Sequence, residues 1–181
     1  MKNLFSFMVI MLVVVACTST KEAGISSSEL RKERKIAEQA TVKSAVEARR
    51  YIIKVDKYYT RYGNVAELNP DHNFLIINGG LATVSLPYVG RSMGSRPISG
   101  INFNGQTFDY NMEWNEGKGL YDLNLKVGKG NDTFTIYLTI GKNGFCTFSL
   151  QNPMIDHASY KGVLVPIPAQ QNNESGSQVI I

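Results

Sequence analysis

Cysteine and histidine are scarce in this chain. Two cysteines, Cys17 and Cys146, cannot form the disulfide framework of a small secreted scaffold. Two histidines, His72 and His157, lie far apart and have no metal-ligand spacing. No basic group or glycine elbow adjoins Cys146, so it lacks the setting of a reactive thiol. It falls in step with Phe148 and Leu150, which predicts a buried, inert side chain. The net charge is only +4, too small a surplus for a nucleic-acid footprint. Gly117-Lys118-Gly119 and Gly128-Lys129-Gly130 open no helix, so they read as turns and not as phosphate cradles. Gly128 to Asp132 could offer oxygen ligands to a cation, but a hairpin turn accounts for it. No cofactor is called for.

Only one long apolar run is present, and it is short for a membrane span. Leu4 to Val15 comes after Lys2 and ends in Val14-Val15-Ala16-Cys17. A span needs about 20 apolar residues; this segment has the layout of an export signal over residues 1–16. The branched residues, small residue and cysteine resemble a bacterial lipobox. That resemblance implies acylation at Cys17, as with palmitate, and a membrane partner reached through the lipid anchor. The alternative is an ordinary signal peptide that happens to hold a cysteine. Thr18, not Asp, comes after Cys17, which favours the outer membrane of a bacterial envelope. An acylated Cys17 cannot pair with Cys146.

Residues 17–27 read as a small, polar, lipid-anchored tether, 28–167 as a single domain, and 168–181 as a disordered tail. Ser26-Ser27-Ser28-Glu29 has capping-box spacing and predicts a helix running to about Arg50. Its apolar stripe is thin: Leu30, Ala37, Ala40, Ala45 and Val46. Its basic surplus could meet anionic head groups. It equally suits a solvated face with pairs such as Arg34–Glu38 and Lys43–Glu47.

After Arg50 the hydrophobic period drops to two. Phe108, Tyr110, Met112 and Trp114 are expected to share a face, as are Tyr121, Leu123, Leu125 and Val127, then Phe134, Ile136, Leu138 and Ile140. Turn signals separate the runs: Asn78-Gly79-Gly80, Asn104-Gly105, Glu116 to Gly119, Gly128 to Asp132, and Lys142-Asn143-Gly144. The expected fold is α+β: one N-terminal helix with an antiparallel sheet or partly closed barrel of about nine strands.

Gly90-Arg91-Ser92-Met93-Gly94 matches the nucleophile-elbow pattern of hydrolases. The elbow needs strand, strained turn and helix. Ser95 to Gly100 cannot start a good helix, and His157 is the only histidine after Ser92, so no catalytic residue is assigned. Arg91 and Arg96 beside Tyr88, with Tyr58 and Tyr59, are candidate contacts to a partner, a saccharide or an anion. Their other reading is packing, with Arg91 pinning the loop to a carboxylate.

Leu86-Pro87-Tyr88-Val89-Gly90-Arg91, Gly100-Ile101-Asn102-Phe103, Asp109-Tyr110 and Ser159-Tyr160-Lys161-Gly162 together resemble a bacterial lipoprotein family, domain of unknown function 4251. The resemblance spans about Glu29 to Pro166. Arg61-Tyr62-Gly63-Asn64 departs from the proline-glycine turn of that pattern. The family implies no activity and transfers no catalytic residue. The functional expectation is a non-catalytic binding or structural module of the envelope, whose partner is an envelope protein or small ligand. The alternative is a carrier of a small apolar or saccharide ligand inside the barrel.

Overall fold

The computed structural model describes residues 26–60, 63–90, 98–153 and 155–168. The chain divides into two compact units, 1–34 and 35–181. In the first, the capping box forms as its spacing predicts. Ser26 N–H donates to Glu29 Oε2 at 3.1 Å, and Ser28 N–H donates to Ser26 Oγ at 3.4 Å. The helix they open, α1, spans Ser27–Glu47. It stops before Arg50 because Arg49 takes a left-handed conformation, φ 53°. Arg49 N–H bonds back to the Val46 carbonyl, and its own carbonyl accepts from Gly79 N–H.

Among the described residues the second unit holds the rest of α1 and nine antiparallel strands: β1 Arg50–Tyr59, β2 Val65–Glu67, β3 Phe74–Asn78, β4 Leu81–Gly90, β5 Ile98–Asn115, β6 Leu120–Lys129, β7 Asp132–Gly141, β8 Phe145–Asn152 and β9 Ile155–Pro166. Each of β3 to β9 pairs with its sequence neighbour, and β9 returns to pair with β1 from Tyr51↔Pro166 to Tyr59↔Ser159. The sheet thus closes into an eight-stranded barrel. β2 stands outside the ring, paired with Lys57 to Tyr59 on the edge of β1 that β3 uses further back. At the rim Gly63, φ 81°, and the bond from Thr60 N–H to the Asn64 carbonyl make a turn without proline.

The period-two pattern builds the interior. Leu123, Leu125 and Val127 face Phe134, Ile136 and Leu138 across the β6–β7 pair, all buried. Val42, Ala45 and Val46 of α1 join the same core, while Ala37 and Ala40 remain exposed. Tyr110 hydroxyl donates to the Val46 carbonyl at 3.4 Å and lies 3.2 Å from the Tyr51 hydroxyl. The buried residues of α1 therefore pack over the end of the barrel where β1 begins.

Two sequence expectations fail for one reason: strands here bend by close approach and bulging. Asn104-Gly105 is not a turn; it lies inside the single long strand β5. A Cβ on Gly105 would collide with the Gly128 carbonyl and come within 2.7 Å of Val127 Cγ1. The glycine serves contact between β5 and β6. Nor do Phe108 and Trp114 share a face. The β5–β6 register slips between Phe108 and Asn111, and Asp109 there has φ 51°. This bulge reverses the phase. Phe108 sits opposite Lys126 on the outside, while Met112 and Trp114 sit opposite the buried Leu123 and Tyr121.

Closure carries a testable requirement. A Cβ on Gly162 would strike the Lys54 carbonyl across the β1–β9 seam. Gly162→Ala should lower the unfolding free energy by roughly 1–3 kcal/mol. Gly80→Ala, with nothing near its Cβ and no positive φ, should change it by less than about 0.5 kcal/mol. Urea unfolding compares them; equal effects would refute the seam's role.

Candidate functional site

Of the sequence candidates, Arg91, Ser92 and Arg96 lie outside the described residues, as do Cys17, the tether to Ile25, and the tail from Ala169. The next described element after β4 is β5, its antiparallel neighbour in the sheet. Tyr58 and Tyr88 are 3% and 1% exposed and belong to the core. Tyr59, from the same run, is half-buried beneath Lys161, whose Nζ is 5.0 Å from its ring centroid. The structure therefore separates Tyr59 from Tyr58 and Tyr88.

The buried tyrosines brace the barrel's interior. Tyr160 packs between Phe148, 5.1 Å away, and Tyr58, 5.3 Å away, and its hydroxyl donates to the Pro87 carbonyl at 2.8 Å. The Pro87 carbonyl, which like any carbonyl can only accept, is thereby paired. The Leu-Pro-Tyr segment and the Ser-Tyr-Lys-Gly segment thus meet inside the protein. An eight-stranded barrel has room for packed side chains or for one small ligand. Here Tyr51, Tyr88, Tyr160 and Phe148 are fully buried within it.

Burial sets the chemistry of these groups. It pushes the Cys146 thiol up to about 12, while Sγ donates to the Gly144 carbonyl at 3.2 Å. Burial, and then its neighbour Tyr110, holds Tyr51 well above the ordinary tyrosine value. Burial also raises Tyr110 and Tyr160. A thiol held protonated is neither a nucleophile nor a metal ligand.

The polar chemistry lies outside. His157 Nε2 is 2.9 Å from Ser159 Oγ and its Nδ1 is 3.2 Å from Gln151 Nε2, all exposed or half-buried on β8 and β9. This serine–histidine pair was not marked by any sequence motif, and it has a glutamine where a hydrolase places a carboxylate. His72 lies in the β2–β3 connection. Among the described residues no three His, Cys, Asp or Glu side chains gather as a metal site. A groove of about 570 Å³ runs between α1 and the turns after β5 and β7, lined by Lys35, Glu38, Lys118 and Lys142. Lys142 Nζ sits 5.4 Å from the ring centroid of Trp114, which is 42% exposed. On β5–β7 a second groove of about 460 Å³ is lined by Asn111, Glu113, Asp122, Asn124, Tyr137 and Thr139. Nothing in the sequence signals it, because outward polar residues on a strand look like ordinary solvated alternates. No described helix is long and apolar enough to cross a membrane.

A family model described as "Domain of unknown function (DUF4251)" matches residues 33–164. No curated protein matches the chain. Among solved structures it is similar to the crystal structure of a DUF4251 family protein from Bacteroides eggerthii DSM 20697. The two are 18% identical with a TM-score of 0.61, over 72% of this chain and 88% of that one. At that identity the likeness establishes a common fold.

The raised values make alkaline pH destabilising. A group that holds its proton more tightly when folded contributes stability below its unfolded pKa, and that stability is lost as pH climbs towards the folded value. For Cys146 the window runs from 9.0 to about 12, and the three tyrosines act in the same direction. The urea midpoint should fall from about pH 9 to about pH 11, and less steeply in Cys146→Ala. At about pH 8 a thiol reagent should label Cys146 only after unfolding. Rapid labelling of the native protein, or a midpoint that stays flat over that alkaline range, would contradict this.

Proposed function

Because the chain belongs to the DUF4251 family, whose description names no activity, we propose from its own residues and geometry that it is a non-catalytic binding module of the bacterial cell envelope. It is held at a membrane, the outer membrane of the cell, by lipid on Cys17. It works through the outer surface of its barrel.

The observation that carries this proposal is the filled interior. Three tyrosines and a phenylalanine occupy the space a carrier would leave for cargo, which weighs against an internal apolar or saccharide ligand. The polar and aromatic groups that could recognise a partner, Tyr137, Tyr59, Trp114 and Lys142 among them, are instead outside or at the rim. The Val14-Val15-Ala16-Cys17 segment supports the anchor. Two or more acyl chains hold a protein stably on a bilayer, at about 0.8 kcal/mol per buried CH₂. The polar residues after Cys17, Thr18 to Ser27, can reach at most about 33 Å when extended, which keeps the start of α1 near that surface.

Radioactive palmitate should label the wild type in growing cells and not Cys17→Ala; equal labelling would remove the anchor. A photocrosslinker at outward Thr135 or Thr147 should give a defined adduct in intact cells. The purified protein should leave the fluorescence of an apolar dye unchanged. Dye uptake that ends on Tyr88→Trp would instead establish the carrier.

A further inference from the structure

The bulge at Asp109 re-aims the remainder of β5. Beyond it Asn111 and Glu113 face outward, beside Asn124 and Asp122 of β6. Registers then align two rows over three strands. Asn111, Asn124 and Tyr137 form one row; Glu113, Asp122 and Thr139 form the next. With strands about 4.8 Å apart, this grid is about 10 Å wide. It lines the groove of about 460 Å³ on the barrel wall.

The grid is poorly explained as solvated surface alone. Glu113 and Asp122 are directly opposite on adjacent strands, where like charges are unfavourable. Among the described residues neither has an ion-pair partner. Lys126, on the same face, is committed to Asp109 at 2.8 Å. Asp122 Oδ1 accepts a hydrogen bond from Thr139 Oγ1 at 3.1 Å, which orients the carboxylate. Tyr137, at the β7 end of its row, leaves 46% of its surface open beside these polar groups.

We propose that this face binds a neutral saccharide, which makes it the working surface of the binding module inferred above. An exposed ring offers a flat apolar platform to the C–H face of a pyranose. Two primary amides, each donor and acceptor, and two carboxylate acceptors supply partners for adjacent hydroxyls. Sugar hydroxyls donate to both carboxylates and relieve their mutual repulsion. The same carboxylates repel glycans bearing acid or sulfate groups, which sets selectivity by charge.

The full-length protein in detergent is applied to an array of neutral oligosaccharides with uronic-acid and sulfated glycans beside them. It should be retained on neutral members only. Tyr137→Ala and Asp122→Ala should each cut retention at least tenfold with little change in the urea midpoint, and Phe145→Ala, at an exposed position on β8, should not. Retention on no glycan, on acidic glycans only, or undiminished in Tyr137→Ala would overturn the saccharide site. If the array stays empty while the outward photocrosslinkers still give their adduct, the saccharide site falls and the binding module stands. If both fail, both fall.

Discussion

The fold depends on the seam where β9 meets β1. Closing a sheet removes its two exposed edges, which would otherwise template pairing with other chains. It also demands that the last strand arrive in register, at the right distance, after every intervening strand has contributed its tilt. The register here slips between Val55 and Lys57, and opposite that slip lies Gly162, so close to the Lys54 carbonyl that no side chain fits. The slip also explains β2. β3 pairs with β1 as far as Lys54, the Asn73 carbonyl then accepts from Val55 N–H, and β2 pairs only with Lys57 to Tyr59. A bulge, a glycine and a short outer strand are thus parts of one solution to closure.

Once the barrel is closed, its interior must be filled, and the residues that resembled a family pattern do much of this. Tyr160 bridges to Pro87; Tyr110 joins Tyr51 to the end of α1; Gly162 admits the seam. Pro87, Tyr110, Tyr160 and Gly162 are accounted for by architecture without reference to a ligand. A pattern composed this way marks a fold, which fits a family described only as a domain.

Elements decided by local chemistry were legible in the sequence. The capping box formed because hydroxyl and carboxylate were at the right spacing. The strands β6 and β7 formed with their alternation intact because nothing interrupts them. Cys146 is buried because it shares the phase of Phe148 and Leu150. Elements decided by distant backbone were not legible. Asn104-Gly105 has the chemistry of a hairpin turn, yet its glycine answers to Gly128 on another strand. Phe108 lost its expected face to a bulge marked only by an aspartate, a residue that enters the left-handed region more readily than most. The functional candidates suffered likewise. Tyr58 and Tyr59 are adjacent in sequence and differ in burial, and period alone could not say which of them the bulge would turn inward.

Asp109 ties the two sides of the barrel wall together. Without its extra residue, the alternation of β5 would carry Asn111 and Glu113 towards the core and Tyr110 into solvent. With it, Tyr110 reaches Val46 and Tyr51 on the inside while the amide and carboxylate join the outer rows. The strain of a left-handed aspartate, about 1–2 kcal/mol, is set against a helix tied to the barrel and polar groups kept from burial. The salt bridge to Lys126 fixes its side chain. Stability alone requires the inner half of this arrangement. It does not require two unpaired carboxylates opposite each other and an open tyrosine beside them, and it is this surplus over stability that directs attention to the outer wall.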